Sequence, residues 1–129
     1  MKKVLFVCVE NSCRSQMAKG FFTNLSPKAC ADSAGIRPAK NVDPVAVVVM
    51  QEVGIDISCY KPKMLSPDMN KKFDYIVTMG CMDGCPLTPK EKTINWIIED
   101  PRGKIRDKYR EIRDNIKIHI QKLIDEIGD

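Results

Sequence analysis

Val4-Leu5-Phe6-Val7-Cys8-Val9-Glu10-Asn11-Ser12-Cys13-Arg14-Ser15 joins two kinds of chain. Val4 to Val9 is a continuous apolar run rich in valine, with no alternation of polar and apolar positions. Such a run predicts a strand covered on both faces, as in a parallel sheet. Glu10 to Ser12 make a polar turn, and residues 13–25 follow with Met17, Ala18, Phe21, Phe22 and Leu25 at helical spacing. A buried strand passing through a short turn into a helix predicts an α/β fold.

Working outward, the pattern repeats. Cys30 to Ala34 reads as a second strand ended by Gly35. Asp43-Pro44 supplies an N-cap and a proline at the first helical position, for a helix running to about Val53 and stopped by Gly54. Ser66-Pro67 opens one short helix. Phe73 to Met79 is the third strand, Gly80 to Lys92 a loop rich in Gly, Pro and Cys, and Thr93 to Ile98 the fourth strand, ended by Glu99-Asp100-Pro101. A last helix from about Gly103 to Ile127 carries an apolar stripe at Ile112, Ile116, Ile120, Leu123 and Ile127. Strands alternating with helices predict one α/β domain with a parallel sheet over residues 1–129.

Bulk properties bound the function. With 129 residues, 43% apolar and 29% charged, the chain suits a single globular domain with a real core. The net charge of +4 is spread over mixed signs, and the densest basic stretch, Arg102 to Arg110, reads as a solvated helix face that favours anionic ligands. Nucleic-acid binding would need a stronger basic bias or aromatic platforms. Only six apolar residues follow Met1-Lys2-Lys3, too few for a signal sequence or a membrane span. The expectation is a cytoplasmic monomer, in which six cysteines mean thiol chemistry or metal sooner than structural disulfides.

The Cys8-to-Arg14 turn is where that chemistry belongs. Successive backbone N–H groups, together with the positive end of the following helix, form a cradle for an anion with several oxygens. The loop residues are Val9, Glu10, Asn11, Ser12, Cys13 and Arg14. Arg14 can donate two parallel bonds to an oxyanion. The same field favours a thiolate at Cys8, to which Ser15 can donate a hydrogen bond. The Asn11 amide is expected to brace the loop by bonding to its backbone. The bland alternative is a buried strand cysteine and a surface helix arginine. A strand before, a helix after and a serine following the arginine weigh against it.

The segment Cys8 to Gly20, CVENSCRSQMAKG, resembles the phosphate-binding loop of the low-molecular-weight protein tyrosine phosphatases. It is closer still to that loop in the thioredoxin-coupled arsenate reductases, which share their fold. Ser33-Ala34-Gly35, the third strand leading to Cys81, and Asp100-Pro101 extend the resemblance over most of the chain. The resemblance implies a three-layer domain with a four-stranded parallel sheet and helices on both faces. It implies Cys8 as nucleophile, Arg14 as oxyanion clamp, Ser15 as thiolate stabiliser, Asn11 as loop support and Asp100 as general acid. It further implies that Cys8 attacks arsenate, Cys81 then attacks Cys8, and Cys85 attacks Cys81. Thioredoxin would reduce the final disulfide, as glutaredoxin or a small thiol does in some relatives. Neither cofactor nor metal is expected, since His119 is the sole histidine and lies far along the last helix. The potassium site of relatives is not carried over, because Lys19 and Lys63 fall where it would need acids.

Several departures shape the choice of substrate. The phosphatases follow Asp-Pro with aromatic residues that line a cleft, whereas Asp100-Pro101 is followed by Arg102-Gly103-Lys104. That favours a small inorganic anion over a phosphotyrosine. The spacing between Cys81 and Cys85 is shorter than in the better-known reductases. Cys13 is placed to form a protective disulfide with Cys8, Cys30 and Cys59 read as small buried structural residues, and Trp96 reads as core. A phosphatase would need Cys8, Arg14 and Asp100 without the outer cysteines. A phosphocarrier domain would need only the cysteine, and a redox sensor ranks below both.

Overall fold

The computed structural model describes residues 2–26, 29–80 and 90–128. Its strands are β1 (Lys3–Cys8), β2 (Cys30–Gly35), β3 (Tyr75–Met79) and β4 (Thr93–Trp96). Its helices are α1 (Arg14–Leu25), α2 (Pro44–Gln51), α3 (Pro67–Lys72) and α4 (Arg106–Ile127), with a 3-10 turn at Lys90–Lys92. The strands form one parallel sheet in the order β2-β1-β3-β4. All four strands, the parallel sheet and the four helices expected from the sequence are present.

β1 explains why its sequence shows no alternation. Val4, Phe6 and Cys8 face a core shared with α1, α2 and α4, while Leu5 and Val7 face a second cluster with Ala34, Leu65, Ile76 and Met69 of α3. Both pleat faces are therefore covered by helices, and every residue of β1 after Lys3 is buried. Each such side chain contributes ~1.5–3 kcal/mol on leaving water.

α4 buries Ile112, Ile116, Ile120 and Leu123, the expected stripe, and adds Tyr109, Arg113 and Ile124 to it. Ile127 packs only at its margin. On α1 the expected face is Met17, Ala18, Phe21 and Phe22, but Leu25 is 40% exposed because the helix ends at the rim of the core. The first turn of α1 is buried on all sides, polar residues Arg14, Ser15 and Gln16 included.

Two expectations need correction. Cys30 and Cys59 are exposed, not buried: Cys30 begins the edge strand β2, and Cys59 lies in a turn. The basic stretch from Arg102 to Arg110 is not simply solvated. Arg102 pairs with Glu10 and Asp100, Lys104 and Lys108 with Glu99, and Arg110 with Glu52 and Asp107. Glu99, Asp100 and Asp107 are near in sequence, but Glu10 and Glu52 are distant, and a linear charge count does not reveal those two partners.

The topology fixes where a ligand can sit. From β1 the chain crosses to β2 on one side, then returns past β1 to β3 on the other. The carboxyl ends of β1 and β3 thus flank the point where the winding reverses, and open α/β sheets bind ligands at that crevice. Cys8 is the last residue of β1, and Gly80 follows the end of β3. No described helix is long and apolar enough to cross a membrane.

Candidate active site

Cys8 leaves the sheet at 3% exposure and enters a loop whose carbonyls are taken from outside. Val9 O accepts from Arg37 N–H at 2.8 Å, Glu10 O from Ala39 N–H at 2.9 Å and Ser12 O from Asp43 N–H at 2.8 Å. Asn11 O accepts from Gln16 Nε2 at 2.9 Å. A trans peptide sets the C=O of one residue and the N–H of the next on opposite sides. The N–H groups following these carbonyls therefore turn away from those partners, which leaves them available to an anion. That arrangement, at the N-terminus of α1, suits a multi-oxygen anion.

A hydrogen-bond chain aims a proton at Cys8. Asn11 Oδ1 accepts from the backbone N–H of Lys63 at 2.9 Å, which settles the orientation of the amide, because a peptide N–H can only donate. Asn11 Nδ2 then donates to Ser15 Oγ at 2.7 Å. With its oxygen accepting from Asn11, the Ser15 hydroxyl is free to donate to Cys8 Sγ at 2.9 Å. Asn11 reaches this position with φ of 53°, a left-handed conformation that asparagine tolerates. Its side chain braces the loop through Lys63 and Ser15, not through the loop backbone as the sequence suggested. Gln16 completes the frame, accepting from Ser33 Oγ at 3.0 Å across to β2.

Arg14 is 7% exposed and donates through Nη1 to Ile98 O at 3.0 Å. Its Nη2 lies 3.6 Å from Asp100 Oδ2. Gly80 makes room for it: a Cβ there would fall 1.8 Å from Arg14 Nη1, and the residue has φ of +79°. Gly35 does the same for the loop, since a Cβ would come 2.9 Å from both Asn11 N and Val9 O. The resulting pocket is small, lined by Cys8, Glu10, Cys13 and Arg14 from the loop and by Asp100 and Arg102 from the far side. Val9 and Ser12 also line it, whereas Asn11 stands behind the wall. An oxyanion entering here competes with Asp100 for Arg14 and places its outer oxygen near that carboxylate.

The two loop cysteines are chemically unlike. Burial pushes the Cys13 thiol well above its ordinary range, and the carboxylates of Asp43 and Asp100 and the neighbouring Cys8 push it further. Cys13 therefore stays protonated beside Cys8, which receives the Ser15 bond. Asp43 caps α2 through Val45 N–H at 2.9 Å and accepts from the Tyr109 hydroxyl at 2.7 Å. It thereby ties the loop, α2 and α4 together.

Cys8, Arg14 and Asp100, separated by up to 92 positions, are brought to one pocket, and Ser15 stands buried behind it against Cys8. Cys81 and Cys85 lie outside the described residues. Lys19 and Lys63 both pair with Asp32, and Lys19 also lies 4.1 Å over the Tyr60 ring. Among the described residues, no cluster of His, Cys, Asp and Glu could hold a metal ion. Trp96 is 9% exposed, in the core, with the His119 ring tilted against it at 52° and 5.0 Å between ring centres. Sequence reasoning missed the roles of Gln16, Gly80 and Arg102. Only the placement of Gly80 directly after the third strand hinted at a close approach.

The chain is 40% identical to arsenate reductase 1 of Staphylococcus saprophyticus over 126 residues, covering 95% of each chain. It is 37% identical to the glutaredoxin arsenate reductase of Synechocystis, covering 99% of this chain and all of that one. The structure of the thioredoxin-dependent arsenate reductase of Corynebacterium glutamicum superposes with a TM-score of 0.83 at 33% identity, over 99% of this chain and 62% of that one. A family model for the low molecular weight phosphotyrosine protein phosphatases matches residues 3–129. With a match of that extent over a parallel sheet that delivers Cys8 into an anion loop, the chain belongs to the low molecular weight phosphotyrosine protein phosphatase family.

Proposed function

We propose that the protein reduces arsenate to arsenite in the cytoplasm, in the service of arsenic detoxification. The observation that carries the chemistry is the Asn11–Ser15–Cys8 chain, which presents a hydroxyl proton to the sulfur inside an anion cradle. The names of the relatives at 37–40% identity select arsenate from the oxyanions such a cradle can take.

In the proposed reaction the Cys8 thiolate attacks arsenic, an S–As bond forms, and one As–O bond breaks. Asp100, on the pocket wall, gives the leaving oxygen its proton; positioned acids of this kind contribute roughly 10²–10⁴-fold. Cys81 then attacks the Cys8 sulfur. An S–S bond forms, the S–As bond breaks, and its electron pair stays on arsenic, which leaves as arsenite. Cys85 attacks Cys81 and frees Cys8, and the Cys81–Cys85 disulfide is reduced by a dithiol protein of the thioredoxin class. The names of two relatives divide between glutaredoxin and thioredoxin as the electron source. Thioredoxin is the expected donor here, since its dithiol can open an internal disulfide in one encounter.

The second reading is phosphate-ester hydrolysis, the other branch of the family. The placement of Asp100 beside Arg14 favours it as much as it favours reduction, since both chemistries expel an oxygen. A phosphocarrier has no comparable use for that carboxylate. The test is arsenite formation by purified protein with thioredoxin, thioredoxin reductase and NADPH, for wild type and Cys81→Ser. Turnover in the wild type that vanishes in Cys81→Ser is expected. Aryl phosphate cleavage indifferent to that substitution, with no arsenite formed, would overturn the reductase reading. Replacing thioredoxin by glutaredoxin and glutathione identifies the donor.

A further inference from the structure

Among the described residues, charge and not an apolar wall lines the mouth of the anion pocket. Arg102 reaches it from the segment after β4. Its backbone N–H donates to Asp100 Oδ1 at 3.1 Å, and its Nε–H donates to Asp100 Oδ2 at 3.2 Å. Its Nη1 pairs with the Glu10 carboxylate on the opposite lip. Glu10 belongs to the anion loop and Asp100 to the exit of β4, so one guanidinium spans both walls of the pocket it helps to line. The three side chains are 33–39% exposed, which puts the bridge at the rim. Asp100 thus stands between Arg102 outside and Arg14 inside.

A tetrahedral anion facing Cys8 turns the oxygen opposite the sulfur outward, toward Asp100 and Arg102. In a free inorganic anion that oxygen is bare or carries a proton, and Arg102 can donate to it. In a monoester it carries a carbon group, which has to pass through the Glu10–Arg102 bridge. Opening the bridge separates two charges and sets an apolar group against them, with no apolar side chain among the described residues at the rim in return, a repulsive element of the kind that creates specificity.

We infer that Arg102, held between Glu10 and Asp100, is a specificity-determining residue that selects free inorganic tetrahedral oxyanions over their aryl monoesters at the Cys8 pocket. This rests on the loop being an oxyanion site and deepens that reading by naming the form of anion it takes.

Binding tests it without turnover. Full-length wild type, Arg102→Ala, Arg102→Lys and Glu10→Gln are treated with iodoacetamide in rising inorganic phosphate or phenyl phosphate, and alkylation is read at the Cys8 peptide by mass spectrometry. The ratio of the two half-protecting concentrations is the selectivity. Wild type is expected to be protected at lower inorganic phosphate than phenyl phosphate, and Arg102→Ala to lose that preference by roughly tenfold, the usual scale of pocket discrimination. Arg102→Lys keeps the charge without the fork, and it and Glu10→Gln should fall between. Both retain the fold if the alanine variant does not, which thermal midpoints establish. An unchanged ratio in Arg102→Ala or in Glu10→Gln, an equal loss for both anions, or a wild type that prefers phenyl phosphate overturns the inference. Failure of wild type to be protected by either anion sinks the oxyanion-site reading and this inference with it. Protection and selectivity without any arsenite formation would sink only the proposed reduction.

Discussion

Two residues away from the nucleophile set the direction of the Ser15 hydroxyl. The Lys63 N–H fixes the Asn11 amide, and the amide fixes Ser15, so the last proton of the chain meets Cys8 Sγ. Ser15→Ala removes a bond to a charged sulfur, and such bonds are worth about 1.5–3 kcal/mol. Iodoacetamide should then alkylate Cys8 at least roughly tenfold more slowly at neutral pH, with the thermal midpoint little changed. Asn11→Gly keeps the left-handed backbone but loses the amide, so it should slow alkylation in the same direction. Equal rates in all three proteins would sink the relay. Gly80→Ala tests the clamp. The added methyl meets Arg14, and φ of +79° costs a residue with a side chain about 1–2 kcal/mol. Weaker protection of Cys8 by phosphate and a lower thermal midpoint are both expected. Cys8, Arg14 and Ser15 were legible in the sequence because strand, turn and helix put them in one short stretch. Gly80 and Arg102 were not, because each acts through a contact with a residue far away in the chain, which no local pattern encodes.

Between elements, the clamp joining α2 to α4 shows a different limit of sequence. Glu52, just past the end of α2, accepts from Arg110 Nη2 at 2.8 Å and from Arg113 Nη1 at 2.9 Å on α4. The Arg110 bond chiefly, with Arg113 behind it, holds the Glu52 carboxyl down from 4.5 to about 2. A carboxyl depressed in the folded state stabilises the fold above its unfolded value and loses that contribution as pH falls through the folded one. The wild-type thermal midpoint should therefore drop between about pH 4.5 and 2 in part through Glu52, and Glu52→Gln should show a shallower fall over that window. Parallel curves for the two proteins would show that the clamp carries no pH dependence. The elements themselves were readable: the unbroken apolar run gave β1, Asp43-Pro44 gave the start of α2, and the spacing of isoleucines gave α4. Their partners were not. The charges of the 102–110 stretch read as solvated because two of the acids that pair with them, Glu10 and Glu52, come from distant elements.

For the whole molecule, the winding of the sheet decides which residues can react together. β1 and β3 are neighbours, in register from Val4 opposite Tyr75 to Val7 opposite Thr78. Continuing that register sets Cys8 opposite Met79, one residue before Gly80, which approaches Arg14 at that edge. Cys81 is the next residue in sequence, so the chain leaves β3 close to the nucleophile even though 81–89 lie outside the described residues. A protein built to pass a disulfide outward from Cys8 needs its first resolving thiol near that position. Single-turnover chemistry tests this without any reductase. Reduced wild type mixed with excess arsenate should release one arsenite per chain and stop, with a mass loss of about 2 Da for the two hydrogens surrendered to a Cys81–Cys85 disulfide. Cys85→Ser should also release one arsenite but end with Cys8 joined to Cys81, so that Cys8 no longer takes up iodoacetamide. Cys81→Ser should release none. If Cys85→Ser instead leaves Cys8 free and alkylatable after releasing arsenite, the electrons came by another route. The proximity of the β1 and β3 ends would then serve only to hold Arg14 against the anion.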